Sequence, residues 1–117
     1  MKLSLWKPTA RKKQYPFPAV TINKAGKIYF NVRCGEYISG KTKSFRIFYD
    51  SDKRILAFEP MSKITSETIT AYKRDGRWLM TILAFFRDMK LDMHKLLGVY
   101  KIGRSGTFLI INLREKI

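Results

Sequence analysis

The apolar residues of this chain come in short runs, and each run ends at residues typical of turns. The longest run, "WLMTILAFF" at 78–86, spans nine residues and is interrupted by Thr81. It is too short to cross a bilayer, which takes about 20 residues as a helix. Other runs alternate apolar and polar residues, as in "SFRIFYD" at 44–50. This alternation indicates short strands, so the pattern predicts a small β-rich domain.

Turn residues locate three hairpins. "AVTINKAGKIYFNV" at 19–32 predicts a strand, a turn and a strand, with Gly26 supplying the positive φ that a short hairpin loop needs. Asp-Gly at 75–76 predicts a second hairpin, although Ser66 and Glu67 are also suited to begin a helix. "VYKIGRSGTFLIINL" at 99–113 predicts a third hairpin. Its apolar stretch at 108–111 is expected to be buried on both faces, in a central strand or an oligomer interface.

The remaining elements complete an α+β fold. Residues 33–40 predict a turn or a helical turn, and residues 44–50 and 54–60 predict two strands, the second ended by Pro60. Residues 83–97 carry apolar side chains at four-residue steps, which indicates a helix ending near Gly98. Asp92 is equally suited to cap a second helix. We therefore predict a small β-rich domain of antiparallel hairpins with one or two short helices near residues 83–97.

The chain divides into an arm and a body. Residues 1–18 contain five cations, three prolines and no acid, which predicts a basic extended arm. Residues 19–117 predict a single α+β domain. It is hairpin-rich over 19–60 and has a hairpin, the helix and the C-terminal hairpin over 61–117.

The net charge narrows the classes of partner. The 117 residues carry 24 Lys and Arg against nine Asp and Glu, a formal charge of +15. Residues 1–49 hold 11 of these cations and one acid, so +10 of the charge lies there. Such a field attracts polyanions: DNA, RNA, an acidic protein or an anionic membrane. The helical segment has too little excess of cations for a membrane-binding helix, so we expect no membrane partner.

One pentapeptide pattern occurs twice. Residues 22–26, "INKAG", and residues 102–106, "IGRSG", share an apolar residue, a central cation and a final glycine, and "KRDGRW" at 73–78 is a looser copy. Hairpin turns resemble one another because glycine and polar residues suit turns. The alternative is that these turns present cations to one anionic surface, as phosphate contacts. Those cations are Lys24, Lys27, Arg74, Arg77 and Arg104.

Cations also alternate with aromatic residues at 41–49. Lys41, Lys43 and Arg46 lie beside Phe48, and Tyr29 could extend the same surface. Aromatic and basic side chains on an open sheet can stack nucleobases while binding phosphates. The alternative is that the aromatic rings fill the core of a small domain. The arm adds Arg11, Lys12 and Lys13, as phosphate contacts or as a solvated tail.

The residues for catalysis are scarce. A structural zinc site needs four ligands, and the chain has one cysteine, Cys34, and one histidine, His94. Asp50, Asp52 and Glu59 are the acids that a metal-dependent nuclease could use, but their spacing is ordinary for a turn. We therefore expect a protein that is not an enzyme, with no metal and no cofactor. A single cysteine and no recognisable leader predict a reducing, cytoplasmic setting.

Residues 20–60 resemble the swapped-hairpin DNA-binding domain of AbrB- and MraZ-type bacterial regulators. "INKAGKIYFN" is similar to the strand, turn, Gly-basic pair and second strand of that family, and "SFRIFYDSDKRILAFEP" to its closing pair of strands. The resemblance implies a homodimer of interleaved hairpins that presents cations to DNA. It implies roles for Gly26 as the turn former and for Lys27 as a DNA-facing cation.

The sequence therefore predicts a small nucleic-acid-binding protein, with duplex DNA first and a single strand or RNA second, and with a role in regulating transcription or replication. The alternative is a phage or mobile-element accessory protein or inhibitor that binds an acidic protein surface or a nucleoprotein complex. The predicted contacts to nucleic acid are Arg11, Lys12, Lys13, Lys24, Lys27, Lys41, Lys43, Arg46, Arg74, Arg77 and Arg104, with Tyr29 and Phe48 as candidates for base stacking.

Overall fold

Two five-stranded antiparallel sheets form the body of the protein. The structure is a computed structural model that describes residues 1–6 and 15–117. Sheet A has the strand order β6-β7-β2-β1-β8, and sheet B has the order β5-β3-β4-β10-β9. In chain order the strands are β1 (Ala19–Ile22), β2 (Lys27–Phe30), β3 (Ser44–Asp50), β4 (Ile55–Met61), β5 (Ile69–Thr70), β6 (Tyr72–Arg74), β7 (Arg77–Thr81), β8 (Gly98–Lys101), β9 (Gly103–Ser105) and β10 (Phe108–Asn112). Three short helices connect them: a 3-10 helix (Val32–Glu36), α1 (Leu83–Asp88) and α2 (Met93–Leu96).

The core lies between the inner faces of the two sheets. Phe30 of sheet A stacks on Phe45 of sheet B with ring centroids 5.1 Å apart, and it meets Phe58 edge-on at 5.3 Å. Phe45 also meets Trp78 of sheet A edge-on at 6.4 Å. These rings alternate along their strands with outward residues, because successive side chains of a strand point to opposite faces. The predicted β-rich fold with short helices is confirmed at this level.

The chain passes from one sheet to the other at two corners. Thr70 ends β5 in sheet B, and Tyr72 begins β6 in sheet A, with only Ala71 between them. In the same way, Ile102 alone separates β8 of sheet A from β9 of sheet B. Both corner residues are buried, and both donate a backbone hydrogen bond, Ala71 to Lys43 and Ile102 to Pro18. The chain itself therefore joins the two sheets at Ala71 and Ile102, in addition to the packing between their inner faces.

The first hairpin forms as its turn residues predict. Gly26 has a φ of +74°, and Asn23 Oδ1 accepts hydrogen bonds from the backbone N–H groups of Ala25 and Lys27. The carbonyl of Gly26 in turn accepts a hydrogen bond from Ile82 N at 2.9 Å, just before α1. The turn is thus attached to the start of the helical segment.

The second hairpin confirms the strand interpretation of residues 72–81. Asp75 and Gly76 both have positive φ, +53° and +76°, and Arg74 lies directly opposite Arg77. Two successive residues of positive φ form the turn whose twist matches paired strands. The alternative of a helix from Ser66 is not what forms.

The third hairpin differs from its prediction in position. Gly106, with φ +59°, lies in its turn, while Arg104 lies within strand β9 opposite Leu109. Residues 22–26 and 102–106 are therefore similar in sequence but not in structure, because Lys24 lies in a turn and Arg104 lies in a strand. Strand β10 is an inner strand of its sheet, as expected, but Phe108 and Ile110 are only half-buried while Leu109 and Ile111 are buried. The outer face of β10 is therefore not covered within the chain, and the alternative of an oligomer interface stays a prediction.

The helical segment is two short helices rather than one. Lys90 has a φ of +55°, which ends the first helix, and Asp92 caps the second by accepting a hydrogen bond from His94 N at 3.1 Å. The second helix ends at Leu96, close to Gly98 as predicted, and Gly98 itself begins β8 with a φ of +141°. Phe86 and Leu96 are the side chains that these helices bury.

Pro60 lies inside β4 instead of ending it. Strand β10 pairs with β4 only as far as Phe58, whereas β3 pairs with β4 up to Met61. The Met61 carbonyl accepts a hydrogen bond from Lys43 N of the β3 side, so the nitrogen of Pro60 faces the unpaired side. The missing N–H therefore interrupts no pairing.

Part of the predicted arm contacts sheet A. Phe17 O accepts a hydrogen bond from Asn31 Nδ2 at 2.9 Å, and the ring of Phe17 lies under the Lys101 ammonium group at 5.1 Å. Residues 1–6 are exposed and have no regular secondary structure. No described helix is long and apolar enough to cross a membrane.

Candidate nucleic-acid interface

Charge is divided unequally between the two sheets. The five strands of sheet A hold five cations and, in this described part of the chain, no Asp or Glu. The five strands of sheet B hold Arg46 and Arg104 together with Asp50 and Glu59, a balance of zero. The cations of sheet A are Lys27, Lys73, Arg74, Arg77 and Lys101.

Alternation along the strands places most of these cations on the outer face. In β2, Ile28 and Phe30 are buried, so Lys27 and Tyr29 point outward. In β7, Trp78 and Met80 are buried, so Arg77 and its same-face neighbours point outward. The outer face of sheet A is therefore the surface on which the predicted cations of these strands meet.

A row of uncharged side chains crosses the middle of this face. Directly paired residues share a face of a sheet, and the pairs Tyr72–Leu79, Leu79–Tyr29, Tyr29–Thr21 and Thr21–Val99 link all five strands. We call this set the tyrosine row; its members are Tyr72, Leu79, Tyr29, Thr21 and Val99. Tyr72 is 65% exposed. The row therefore carries two phenol rings, of which Tyr72 is exposed and Tyr29 half-buried.

Cations flank the tyrosine row on both sides. Arg74 and Arg77 lie opposite each other, two residues along their strands from Tyr72 and Leu79. Lys101, opposite Ala19, lies on the same side of the row at the other edge of the sheet. We call Arg74, Arg77 and Lys101 the basic row. Two residues of a strand span about 6.6 Å, so the basic row runs beside the tyrosine row at roughly that distance.

Lys27 lies beyond the other side of the tyrosine row. It is opposite Thr81 and next to the exposed turn that carries Lys24. Because Thr81 is four positions after Arg77 in β7, about 13 Å separates Lys27 from the basic row. Four of the predicted cations, Lys24, Lys27, Arg74 and Arg77, thus frame one face together with Tyr29.

The arginines of the basic row are not neutralised within the described part of the chain. The ion pairs there join Arg46 to Glu59 and Glu67, and Arg87 to Asp88. Lys73 lies on the opposite face from Arg74 and Arg77, since it is paired with the buried Trp78 and its ammonium group lies 5.5 Å from that indole ring. Arg74 and Arg77 are therefore available to an external anion.

Two other predicted residues, Lys41 and Arg104, meet at a separate cleft. Lys41, Arg104 and Tyr37 line this cleft, with the guanidinium group of Arg104 5.3 Å from the Tyr37 ring centroid. Lys43 is exposed at the corner before β3, and its backbone pairs with Met61 and Ala71. These three cations do not lie in the rows of sheet A.

Arg46 and Phe48 lie on the outer face of sheet B. Arg46 Nε donates to Glu59 Oε1 at 2.6 Å, and its guanidinium group lies 5.4 Å from the Phe48 ring. Phe48 in turn meets Phe108 edge-on at 5.2 Å. Because Arg46 is paired and faces away from sheet A, it does not extend the surface that carries Tyr29. Arg11, Lys12 and Lys13 lie outside the described residues.

The groups weighed for catalysis have structural partners. Burial raises the pKa of Cys34 to about 11, although its thiol contacts Ala19 O and Asn31 Oδ1. Asp50 Oδ1 accepts hydrogen bonds from the backbone of Asp52 and Lys53, as in an ordinary turn. Within residues 1–6 and 15–117 there is no cluster of three or more His, Cys, Asp or Glu side chains suited to a metal ion.

Sequence reasoning missed Tyr72 and Lys101. A two-residue turn at 75–76 already fixes that residue 74 pairs with 77 and residue 72 with 79, so Tyr72 could have been placed beside Leu79. Lys101 reaches the same face only because β8 pairs with β1, about 80 residues earlier in the chain. That pairing has no local indication in the sequence.

Comparison with models of protein families, with curated proteins and with solved structures finds no match for this chain. The resemblance of residues 20–60 to the AbrB- and MraZ-type domain therefore stays a prediction.

Proposed function

We propose that the protein is a small, non-enzymatic nucleic-acid-binding protein that binds phosphates on the outer face of sheet A. The observation that carries this proposal is the division of charge between the sheets. The strands of sheet A place four of their five cations on the outer face and contain no described carboxylate, whereas the strands of sheet B have a zero balance. A sheet face framed by cations without carboxylate partners matches the regular negative charge of a nucleic-acid backbone. A regulatory role in transcription or replication, and duplex DNA as a partner, follow from the resemblance of residues 20–60 and belong to the proposal.

The proposal is tested by removing two adjacent cations of the basic row. Each phosphate neutralised on duplex DNA contributes about −0.9 to the slope of log K against log salt. We expect Arg74→Gln with Arg77→Gln to weaken binding to duplex DNA and to make the slope shallower by about 1.8. Filter binding or fluorescence anisotropy over a salt series measures both quantities.

The matched control removes two cations from the other side of the molecule. Lys53 lies in the turn between β3 and β4, Lys63 follows β4, and both are exposed. Lys53→Gln with Lys63→Gln makes the same change in net charge, and the slope should stay within about 0.5 of the wild-type value. Equal loss in the two double variants would mean that binding follows net charge alone and would refute a role for sheet A.

A second candidate function is favoured by the outer face of sheet B. Phe48 is 41% exposed there, and its neighbours on the same face include Ala57, Phe108 and Ile110. An exposed apolar patch with a polar rim is typical of a protein-binding surface. This candidate is an accessory protein or inhibitor that contacts a protein or a nucleoprotein complex.

The two candidates are separated by capture of partners from lysate with and without nuclease. If the second candidate is right, a partner remains bound after nuclease treatment and is lost from a Phe48→Ser variant, whereas Arg74→Gln with Arg77→Gln retains it. If nucleic acid is the only link, nuclease treatment releases every partner.

A further inference from the structure

The two tyrosines of the tyrosine row lie on the outer face of sheet A and differ in exposure. Tyr72 is 65% exposed and Tyr29 is half-buried, and neither ring contacts another aromatic ring among the described residues. By contrast, the aromatic side chains of the inner faces pack on one another at 5.1–6.4 Å. Large apolar rings held open on a sheet are suited to contact a flat partner.

The spacing of the two rows fits one nucleic-acid strand lying across the sheet. Tyr72 and Tyr29 are two strands apart, about 10 Å, with Leu79 between them. The basic row runs parallel to them at roughly 6.6 Å, from Arg74 and Arg77 to Lys101. Bases on the tyrosine row therefore place the sugar-phosphate backbone over the basic row.

A double helix can place phosphates on the basic row, but its bases cannot stack on the tyrosine row. Its bases are stacked on one another inside the duplex, so their faces cannot reach a side chain on a flat sheet, and contact is limited to phosphates and groove edges. An unpaired strand exposes both its base faces and its phosphates, which is how single-strand binders combine stacking with a basic groove.

We propose that sheet A binds single-stranded DNA, with bases stacked on Tyr29 and Tyr72 and phosphates along Arg74, Arg77 and Lys101. This inference rests on the proposed function and adds a second ligand to duplex DNA, an unpaired strand that uses the tyrosine row as well as the cations. DNA is chosen over RNA because selection of RNA depends on contacts to the 2′-hydroxyl. The register places the Asn31 amide between Arg77 and Lys101, and this amide is already occupied, since its Nδ2 donates to Phe17 O and its Oδ1 accepts from Ala19 N.

The first test uses the wild-type protein and three probes of equal length: oligo(dT), the same strand with abasic sites, and a duplex. The abasic strand keeps the phosphates and loses the bases. Stacking adds enough affinity per base that oligo(dT) should bind at least about fivefold more tightly than the abasic strand. Equal affinity for these two strands would overturn the proposal, whatever the variants show.

The second test removes the aromatic faces but keeps apolar side chains. Tyr29→Leu with Tyr72→Leu should abolish the preference for oligo(dT) over the abasic strand and leave duplex affinity within about twofold. Phe48→Leu is the matched control, since it changes an exposed ring on sheet B, and it should leave all affinities unchanged. An unchanged preference in the tyrosine variant would contradict stacking on this row.

The arginine variant distinguishes failure of this inference from failure of the proposed function. If Arg74→Gln with Arg77→Gln weakens binding of every probe while the tyrosine variant changes nothing, sheet A binds phosphates without stacking bases, and only the inference fails. If the arginine variant changes no affinity, the proposed function fails as well. Binding of oligo(U) about tenfold tighter than oligo(dT) would overturn the choice of DNA.

Discussion

The thiol of Cys34 lies in the closed space between the 3-10 helix and the start of β1. Its side chain is buried, and the single S–H has two acceptors within reach, Ala19 O at 3.5 Å and Asn31 Oδ1 at 3.3 Å. Burial opposes the charged thiolate, and this raises the pKa from 9.0 to about 11. Since the thiolate is the reactive form, this cysteine should be inert in the folded protein.

We expect Cys34 to react with a thiol reagent far more slowly in the folded protein than in urea. At pH 8 the raised pKa alone lowers the thiolate fraction by about a hundredfold, and burial lowers access further. The sign follows from the direction of the shift: the neutral thiol contributes stability that is complete below pH 9.0 and is lost as the pH rises towards about 11. Absorbance at a range of pH values with a chromogenic disulfide measures the rate, and equal rates in the two states would show an open site.

Phe30 packs against two aromatic rings of the opposite sheet. It is fully buried and contacts Phe45 and Phe58 of the opposite sheet. Phe30→Leu should lower the free energy of unfolding by about 1–3 kcal/mol, and Phe30→Ala by about 3–5 kcal/mol. Urea denaturation measures both, with Ile64→Ala as the exposed control; a Phe30→Leu variant no less stable than that control would place the main packing contacts elsewhere.

Individual side-chain directions were largely readable from the sequence. The alternation that puts Phe45 and Ile47 on one face of β3 and Arg46 and Phe48 on the other is confirmed by their partners in β4. Alternation determines which residues share a face, but it gives no information on whether that face is covered. For this reason Phe45 proved to be core while Phe48 remained 41% exposed.

At the scale of elements, the turn of the first hairpin packs closely against α1. A Cβ atom added at Gly26 would lie 2.8 Å from Leu83 Cβ and 2.9 Å from Leu83 Cα, and φ is +74°. Glycine is therefore required at this position for two reasons: the positive φ of the backbone and the lack of space for a Cβ atom beside the helix.

Gly26→Ala should destabilise the protein more than an alanine at another turn of positive φ. Gly106 has φ +59° with no atom within 4 Å of an added Cβ, so Gly106→Ala carries the backbone penalty alone, about 1–2 kcal/mol. Gly35→Ala has neither cost and should be close to neutral. The urea midpoint should be highest for Gly35→Ala, lower for Gly106→Ala and lowest for Gly26→Ala. A Gly106→Ala variant as unstable as Gly26→Ala would show that contact with α1 contributes little to stability.

Hairpins were predictable as elements, and their neighbours in the sheets were not. Asp-Gly at 75–76 and the turn at Gly26 specify local pairing through backbone conformation, which a short sequence encodes. The pairing of β1 with β8 and of β4 with β10 joins segments that are distant in the chain. Those pairings depend on how the whole core packs, which no local motif records.

At the scale of the whole molecule, the candidate site results from the order of the strands. Lys27, Arg77 and Lys101 come from three separate parts of the chain and meet because β7, β2, β1 and β8 are neighbours in sheet A. The net charge of +15 indicated a polyanion but not a surface. A polyanionic partner therefore stays a prediction from the sequence, while the face that carries the cations became visible only in the fold.

The same reasoning predicts how the arm and sheet A combine. Arg11, Lys12 and Lys13 precede β1, and residues 15–18 lead directly to sheet A, where Pro18 O pairs with Ile102 N. If the arm and the basic row bind one duplex, their phosphate contacts add. Replacing the three arm cations with Gln should make the salt slope shallower by about 2.7, and combining this change with Arg74→Gln and Arg77→Gln should give about 4.5.

This sum is more informative than either change alone, because charge effects at sites without shared partners add, whereas two alternative binding modes do not. A combined loss no larger than that of the arm variant would mean that the arm binds DNA in place of sheet A. A normal slope in the arm variant, with the expected loss in the sheet variant, would assign the phosphate contacts to sheet A alone. Only the additive result describes one continuous surface, in which the cations of an N-terminal segment extend the row that Arg74, Arg77 and Lys101 begin.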